Sequence, residues 1–175
     1  VYAITMQNHG PYSTEANSKN TMSIDGDLSK PSKNMLENYT SGISKSDKDL
    51  KELIEGLKKL DEPTVVVFFG DHLPLLGDDY QVYRESNFIK DPSDSKDNQK
   101  LHDVPYVIWD NFSKEKKQNV YMETTDFGPY LLEKTHNKGN AFTDFVNKAD
   151  DKDDKNHQMI QYDLMFGEGY SYKYM

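Results

Sequence analysis

Apolar positions along the chain fall in short runs separated by long polar stretches. Tyr2–Met6 is apolar and β-prone and stops at Gln7-Asn8-His9-Gly10-Pro11, so the pattern predicts a strand followed by a turn. Residues 12–33 are rich in Ser, Asn, Thr and Lys and predict a long surface excursion. Between Pro31 and Leu60 the spacing becomes helical: Met35, Tyr39 and Ile43 lie four apart, and Leu50, Leu53, Ile54, Leu57 and Leu60 share one face. This predicts one long helix, or two that break near Gly42–Ser46. Glu62-Pro63 ends it, and Thr64–Phe69 is apolar at every position, as in a central parallel strand covered on both faces.

A second polar excursion covers residues 77–103. Val104–Trp109 and Val120–Met122 predict strands, and Thr125–Thr135 a helix with Pro129 confined to its first turn. Residues 144–158 form an acidic, lysine-containing connection. Met159–Phe166 and Tyr170–Tyr174, joined by Gly167-Glu168-Gly169, predict a terminal β-hairpin. The organisation expected is one partial α/β domain, with a core portion at 1–143, the connection at 144–158 and the hairpin at 159–175.

Charge and composition narrow the function. With 30 acidic against 21 basic side chains and a net charge of −9, the chain lacks the clustered cations that phosphate contacts need, which argues against a nucleic-acid partner. The absence of cysteine excludes disulfides, thiolate metal sites and a Cys nucleophile, and leaves the redox compartment open. No apolar run reaches the roughly 18 to 20 residues that span a bilayer, and the first residues lack the grammar of a signal peptide. They begin directly on an apolar strand, as in a chain cut from something longer.

Topology singles out candidate chemistry. Two strands joined by a crossover helix are expected to run parallel and so to end on one sheet edge, where open α/β folds place their ligands. One of these strands ends at His9 and the other at Asp71-His72. A carboxylate and an imidazole suit zinc, manganese or another divalent ion. On the residues alone an Asp-His pair also serves as a capped turn, and that alternative stands. His102, His136 and His157 sit among polar residues and predict solvated side chains, whereas Trp109 predicts packing.

Three blocks carry a resemblance: Ile4-Thr5-Met6-Gln7-Asn8-His9-Gly10-Pro11-Tyr12, Val66-Val67-Phe68-Phe69-Gly70-Asp71-His72-Leu73-Pro74 and Val104-Pro105-Tyr106-Val107-Ile108-Trp109. In order and separation they resemble the lipoteichoic acid synthase and phosphoglycerol transferase family, within the sulfatase and alkaline phosphatase superfamily. The resemblance implies a mainly parallel sheet flanked by helices, of which this chain is the carboxyl-terminal portion. It implies that Asp71 and His72 are metal ligands, and that His9 is catalytic and contacts the phosphoryl or phosphoglycerol group. The expected cofactor is a divalent metal, manganese or magnesium ahead of zinc or calcium, bound weakly or not at all by this chain alone.

The nucleophilic Thr and a further acidic ligand would lie upstream; Thr5, Thr124 and Thr125 do not occupy that motif. The implied activity is phosphoglycerol transfer from a glycerophospholipid, or action on a phosphorylated glycan, at the extracellular face of a bacterial cell membrane reached through an N-terminal region. The alternatives are phosphodiester, phosphate or sulfate hydrolysis at the same site, or a non-catalytic module of the same fold. Leu73-Pro74 follows Asp-His where many sulfatase-like enzymes have Gly, a departure expected to reshape the pocket rim.

Overall fold

The computed structural model describes residues 1–114, 120–148, 155–167 and 169. The chain divides into two compact units, Val1–Lys114 and Glu115–Met175. Among the described residues no helix is long and apolar enough to cross a membrane.

The first unit is organised by α1, Lys30–Leu57, one continuous helix through the Gly42–Ser46 region. Ser29 caps it, its hydroxyl accepting from the Ser32 amide at 3.4 Å, and Pro31 occupies the first turn, where its missing N–H costs nothing. Glu85 of a short helix α2, Gln81–Glu85, accepts from the Ser29 amide at 2.8 Å and from its hydroxyl at 3.0 Å. This supplies a carboxylate to the positive end of α1, which has no acidic residue in its own first turn.

Around this junction sits the core of Met35, Leu76 and Val82, with Tyr12, Leu36, Tyr39 and Tyr83 packed against it. Gly77 is required there. Its φ of 84° suits glycine, and a Cβ would come within 2.8 Å of the Gln81 Cβ. The apolar stripe of the second half of α1 is less covered, with Leu53 exposed, as is Leu60 just beyond the helix.

The polar excursion is strapped to α1 rather than packed by apolar contact. Asn34 donates to the Thr14 carbonyl at 2.7 Å, Asn38 donates to the Ser13 carbonyl at 2.8 Å, and the Ser41 hydroxyl accepts from the Thr21 and Met22 amides at 3.1 and 3.3 Å. Short polar side chains thus satisfy backbone groups that a loop of this composition could not bury otherwise.

β1, Val65–Phe69, and β2, Tyr106–Asp110, pair antiparallel with Val65 opposite Asp110 and Phe69 opposite Tyr106. Asn111 closes one end of the ladder, accepting from the Thr64 amide at 2.8 Å. Between the strands run a turn at Asp78–Tyr80, α2, and α3, Ser95–His102, which is capped by Asp94. Asp97 of α3 accepts from the Lys90 and Asp91 amides and from the Lys100 ammonium, which together hold its carboxyl far below the usual range.

Several sequence expectations are corrected. Residues 1–6 form no strand, and Ile4 is 72% exposed. A strand persists only where a neighbour completes its hydrogen bonds, and among the described residues only β1 and β2 pair. The parallel pairing expected across α1 is therefore not formed here. Nor is β1 covered on both faces, since Phe68 and Phe69 are exposed. Val120–Met122 likewise carries no strand.

In the second unit, the turn at Thr124–Asp126 leads into α4, Phe127–Lys134, with Pro129 in its first turn as expected. α5, Ala141–Lys148, is capped by Asn140, whose side chain accepts from the Thr143 amide at 3.1 Å while its own amide donates to the Thr143 hydroxyl at 2.7 Å. α6, Lys155–Phe166, replaces the expected hairpin arm at Met159–Phe166, and α5 and α6 occupy both ends of the expected acidic connection. Gly167 is the C-terminal glycine of α6, with φ 72° and its amide donating to the Asp163 carbonyl at 2.8 Å. The other arm, Tyr170–Tyr174, lies outside the described residues.

Candidate active site

β1 ends at Phe69; the Gly70 amide donates to the Pro105 carbonyl at 3.4 Å, and there the chain leaves the ladder and presents Asp71 and His72. The Asp71 carboxylate accepts from the His72 amide at 3.0 Å, a tight turn that puts both side chains on the same side. The His72 Nδ1 lies 2.8 Å from the Leu73 carbonyl oxygen. A carbonyl only accepts, so Nδ1 carries the proton and Nε2 is free to act as a ligand.

That Nε2 is 3.6 Å from the Asp71 Oδ2, with both side chains open to solvent. An imidazole nitrogen and a carboxylate oxygen this close, both facing solvent, are donors that a divalent ion would take together. The carbonyl bond to the far ring nitrogen is also the support that metal-bound imidazoles use. Asp71 and His72 therefore fit as two ligands. Among the described residues no group of three or more His, Cys, Asp or Glu comes together to complete a site.

His9 is exposed in the turn after residues 1–6, its amide donating to the Met6 carbonyl at 3.2 Å. Its Nδ1 lies 2.8 Å from the Gly10 carbonyl oxygen, so it repeats the arrangement of His72 and also leaves Nε2 outward. The two loops lie side by side: a Cβ on Gly10 would be 3.9 Å from the Leu75 carbonyl oxygen. The sequence argument brought His9 and Asp71-His72 together through parallel strands. The structure brings their loops together through a shared core instead.

That support was not legible in the sequence. Tyr12 donates its hydroxyl to the Asn8 carbonyl, and Tyr83 donates to the Pro74 carbonyl at 2.6 Å. Both rings pack on the Met35–Leu76–Val82 cluster, and Tyr12 meets Tyr39 edge-on at 5.4 Å. Burial pushes the Tyr83 phenol up to about 12, helped by Tyr39 and Tyr12, so its hydroxyl remains a donor across the physiological range. Asn8 in turn donates to the Ser46 hydroxyl at 2.7 Å and fills the notch left by Gly42, where a Cβ would lie 2.4 Å from its Oδ1.

The other candidates take structural roles. His102 bonds the Asn98 carbonyl at 2.7 Å in the last turn of α3, and Trp109 sits in β2 opposite Val66. Leu73-Pro74, the departure noted in the sequence, is the stretch that Tyr83 holds.

The sulfatase family model matches residues 1–137. The chain belongs to the sulfatase family. Among curated proteins, this sulfatase chain is 29% identical over 203 residues to a Rhizobium meliloti (strain 1021) protein named for cyclic beta-1,2-glucan modification, covering 97% of the chain and 31% of that protein. It is 39% identical over 75 residues to the capsular polysaccharide biosynthesis protein RkpI of the same organism, covering 43% of the chain and 12% of that protein. Among solved structures it is similar to the Streptococcus pyogenes phosphoglycerol transferase GacH in complex with sn-glycerol-1-phosphate. That match has a TM-score of 0.67 and 28% identity, covering 97% of this chain and 45% of that one. The fold class is thus alkaline phosphatase/sulfatase-like and the chain is a lipoteichoic acid synthase-like member of the superfamily. It spans under half the length of the transferase and about a third of the first relative.

Proposed function

We propose that this chain supplies the Asp71-His72 and His9 side of the active site of a metal-dependent phosphoglycerol transferase that acts on a glycerophospholipid at the extracellular face of a bacterial cell envelope. The observation that carries this reading is the pairing of two solvent-facing side chains, Asp71 Oδ2 and His72 Nε2 at 3.6 Å, beside the His9 loop in a fold similar to a phosphoglycerol transferase. The names of the two bacterial relatives, one for glucan modification and one for capsular polysaccharide, support a glycan or envelope polymer as acceptor.

A divalent ion held by Asp71 and His72, manganese or magnesium in first place, would supply charge neutralisation at the phosphate. His9 holds its Nδ1 proton against the Gly10 carbonyl. When protonated at Nε2 as well, it donates a hydrogen bond to a phosphoryl oxygen and can deliver that proton to the departing oxygen. Asp71, through its bond to the His72 amide, keeps the turn closed so that both ligands face the same point.

The family assignment itself favours a second reading, hydrolysis at the same site with water as acceptor. Incubating the full natural protein with a glycerophospholipid and a glycan acceptor tests the proposal. Diacylglycerol with glycerophosphate attached to the acceptor is the expected product. Free glycerophosphate alone would replace transfer with hydrolysis, and unreacted lipid would remove both.

A further inference from the structure

Each candidate histidine is held by a repeated device. The imidazole Nδ1 bonds the carbonyl of the next residue, Gly10 for His9 and Leu73 for His72. A peptide carbonyl close by in the chain, Asn8 before His9 and Pro74 after Leu73, accepts a tyrosine hydroxyl. Between the Leu73 and Pro74 carbonyls the proline ring fixes φ, which leaves one soft dihedral, so a bond that holds the second carbonyl restricts the first; Asn8 contributes the carbonyl of the peptide that leads into His9. The ring of His72 is thereby connected to Tyr83 through Leu73 and Pro74, and the loop of His9 to Tyr12. Both tyrosines pack on the Met35–Leu76–Val82 core, Tyr83 from α2 and Tyr12 from the same loop that carries His9.

We propose that Tyr83 and Tyr12 are positioning residues with separate assignments, Tyr83 setting the geometry of the Asp71-His72 metal pair and Tyr12 that of His9. The proposal rests on the reading of Asp71 and His72 as metal ligands. It goes beyond that reading in assigning two hydroxyls that bond backbone carbonyls to two different quantities, metal affinity and turnover. A tyrosine that served packing alone would act through its ring, because its ring contacts, such as that of Tyr83 with Phe88 at 5.8 Å between centroids, survive removal of the hydroxyl.

The test uses the full natural protein carrying Tyr83→Phe, Tyr12→Phe or Tyr39→Phe, the last as a control in the same ring cluster. Manganese affinity by titration, kcat, KM and thermal midpoint are measured for each. Tyr83→Phe is expected to weaken manganese binding about 10-fold, the lower end of what loss of a supporting bond to a ligand costs. Tyr12→Phe is expected to leave manganese affinity unchanged and to lower kcat about 10-fold with KM little altered, and Tyr39→Phe to change neither. Equal losses in all three variants, losses that track the thermal midpoint, or no loss in Tyr83→Phe would overturn the assignment. Asp71→Asn separates the layers. If it abolishes manganese binding while Tyr83→Phe does not weaken it, only the positioning role fails; if it leaves manganese binding intact, the metal reading fails and the assignment with it.

Discussion

Replacing Gly42 by Ala tests how the His9 loop is held. In the interior of an ordinary helix this change stabilises by about 0.5–1 kcal/mol, because Ala loses less backbone freedom on folding. Here the new Cβ would stand 2.4 Å from the Asn8 Oδ1 and 3.2 Å from its Cγ. Asn8 must swing away and give up its 2.7 Å bond to Ser46, worth about 0.5–1.5 kcal/mol. The two effects cancel to within about 1 kcal/mol, so Gly42→Ala alone should barely move the unfolding midpoint while displacing the residue next to His9.

In the background of Asn8→Ala the clash is gone, and the same change should recover its full stabilisation of about 0.5–1 kcal/mol. A double-mutant cycle by chemical denaturation should therefore show a coupling of about 1 kcal/mol between positions 8 and 42. Turnover of the single Gly42→Ala variant should fall, with manganese affinity unchanged. Zero coupling, together with full stabilisation and normal turnover in Gly42→Ala, would refute the contact and the positioning argument built on it.

Three further outcomes follow from the same bonds. Asp97 has its carboxyl lowered chiefly by Lys100 and by the Lys90 and Asp91 amides, so it stabilises the fold above the ordinary carboxylate range and loses that contribution as pH falls through its lowered value. Asp97→Asn should lower the unfolding midpoint at pH 7 and narrow the gap to wild type below about pH 3. With the Tyr83 phenol raised to about 12, its contribution is complete below about pH 10 and lost as pH rises through 12. A spectrophotometric titration should show one phenolate fewer near pH 10 to 11 than Tyr83→Phe plus one would give if that phenol were ordinary. Ser41→Ala removes the acceptor of the Thr21 and Met22 amides, and hydrogen exchange at those two amides should accelerate while exchange in α3 does not change.

Local pattern carried much of the fold. The i, i+4 spacing from Met35 onward produced α1, the apolar run at Thr64–Phe69 produced β1, and Gly70 placed Asp71-His72 at its end. Where the chain's local signals were ambiguous, the reading failed. Met159–Phe166 has no clean period of either kind while its Met, Gln and Leu residues favour helix, and Gly167 ends a helix as readily as it turns a hairpin. Residues 1–6 have strand composition, but a strand is completed by a partner that composition cannot name.

For the site, the chemistry-bearing residues stood out by type and position, whereas the residues that hold them did not. Asn8 meets Gly42 and Ser46 across more than 30 positions, and Tyr83 reaches back from α2 to Pro74 in the loop before it. Such contacts leave no periodic trace. The Gly42–Ser46 region was a visible irregularity, and it pointed to a possible helix break where the structure has a close approach of Asn8 to Gly42.

The most direct test of the central claim sets metal content against turnover in Asp71→Ala and His9→Ala, each prepared in the full natural protein with manganese. Asp71→Ala should lose both metal and activity. His9→Ala should keep its metal and its unfolding midpoint while turnover drops by about 10² to 10⁴, the range for a proton-donating or phosphate-binding histidine. Equal metal loss in the two variants would make His9 a ligand, and undiminished turnover in His9→Ala, or full metal content in Asp71→Ala, would contradict the site proposed for this chain.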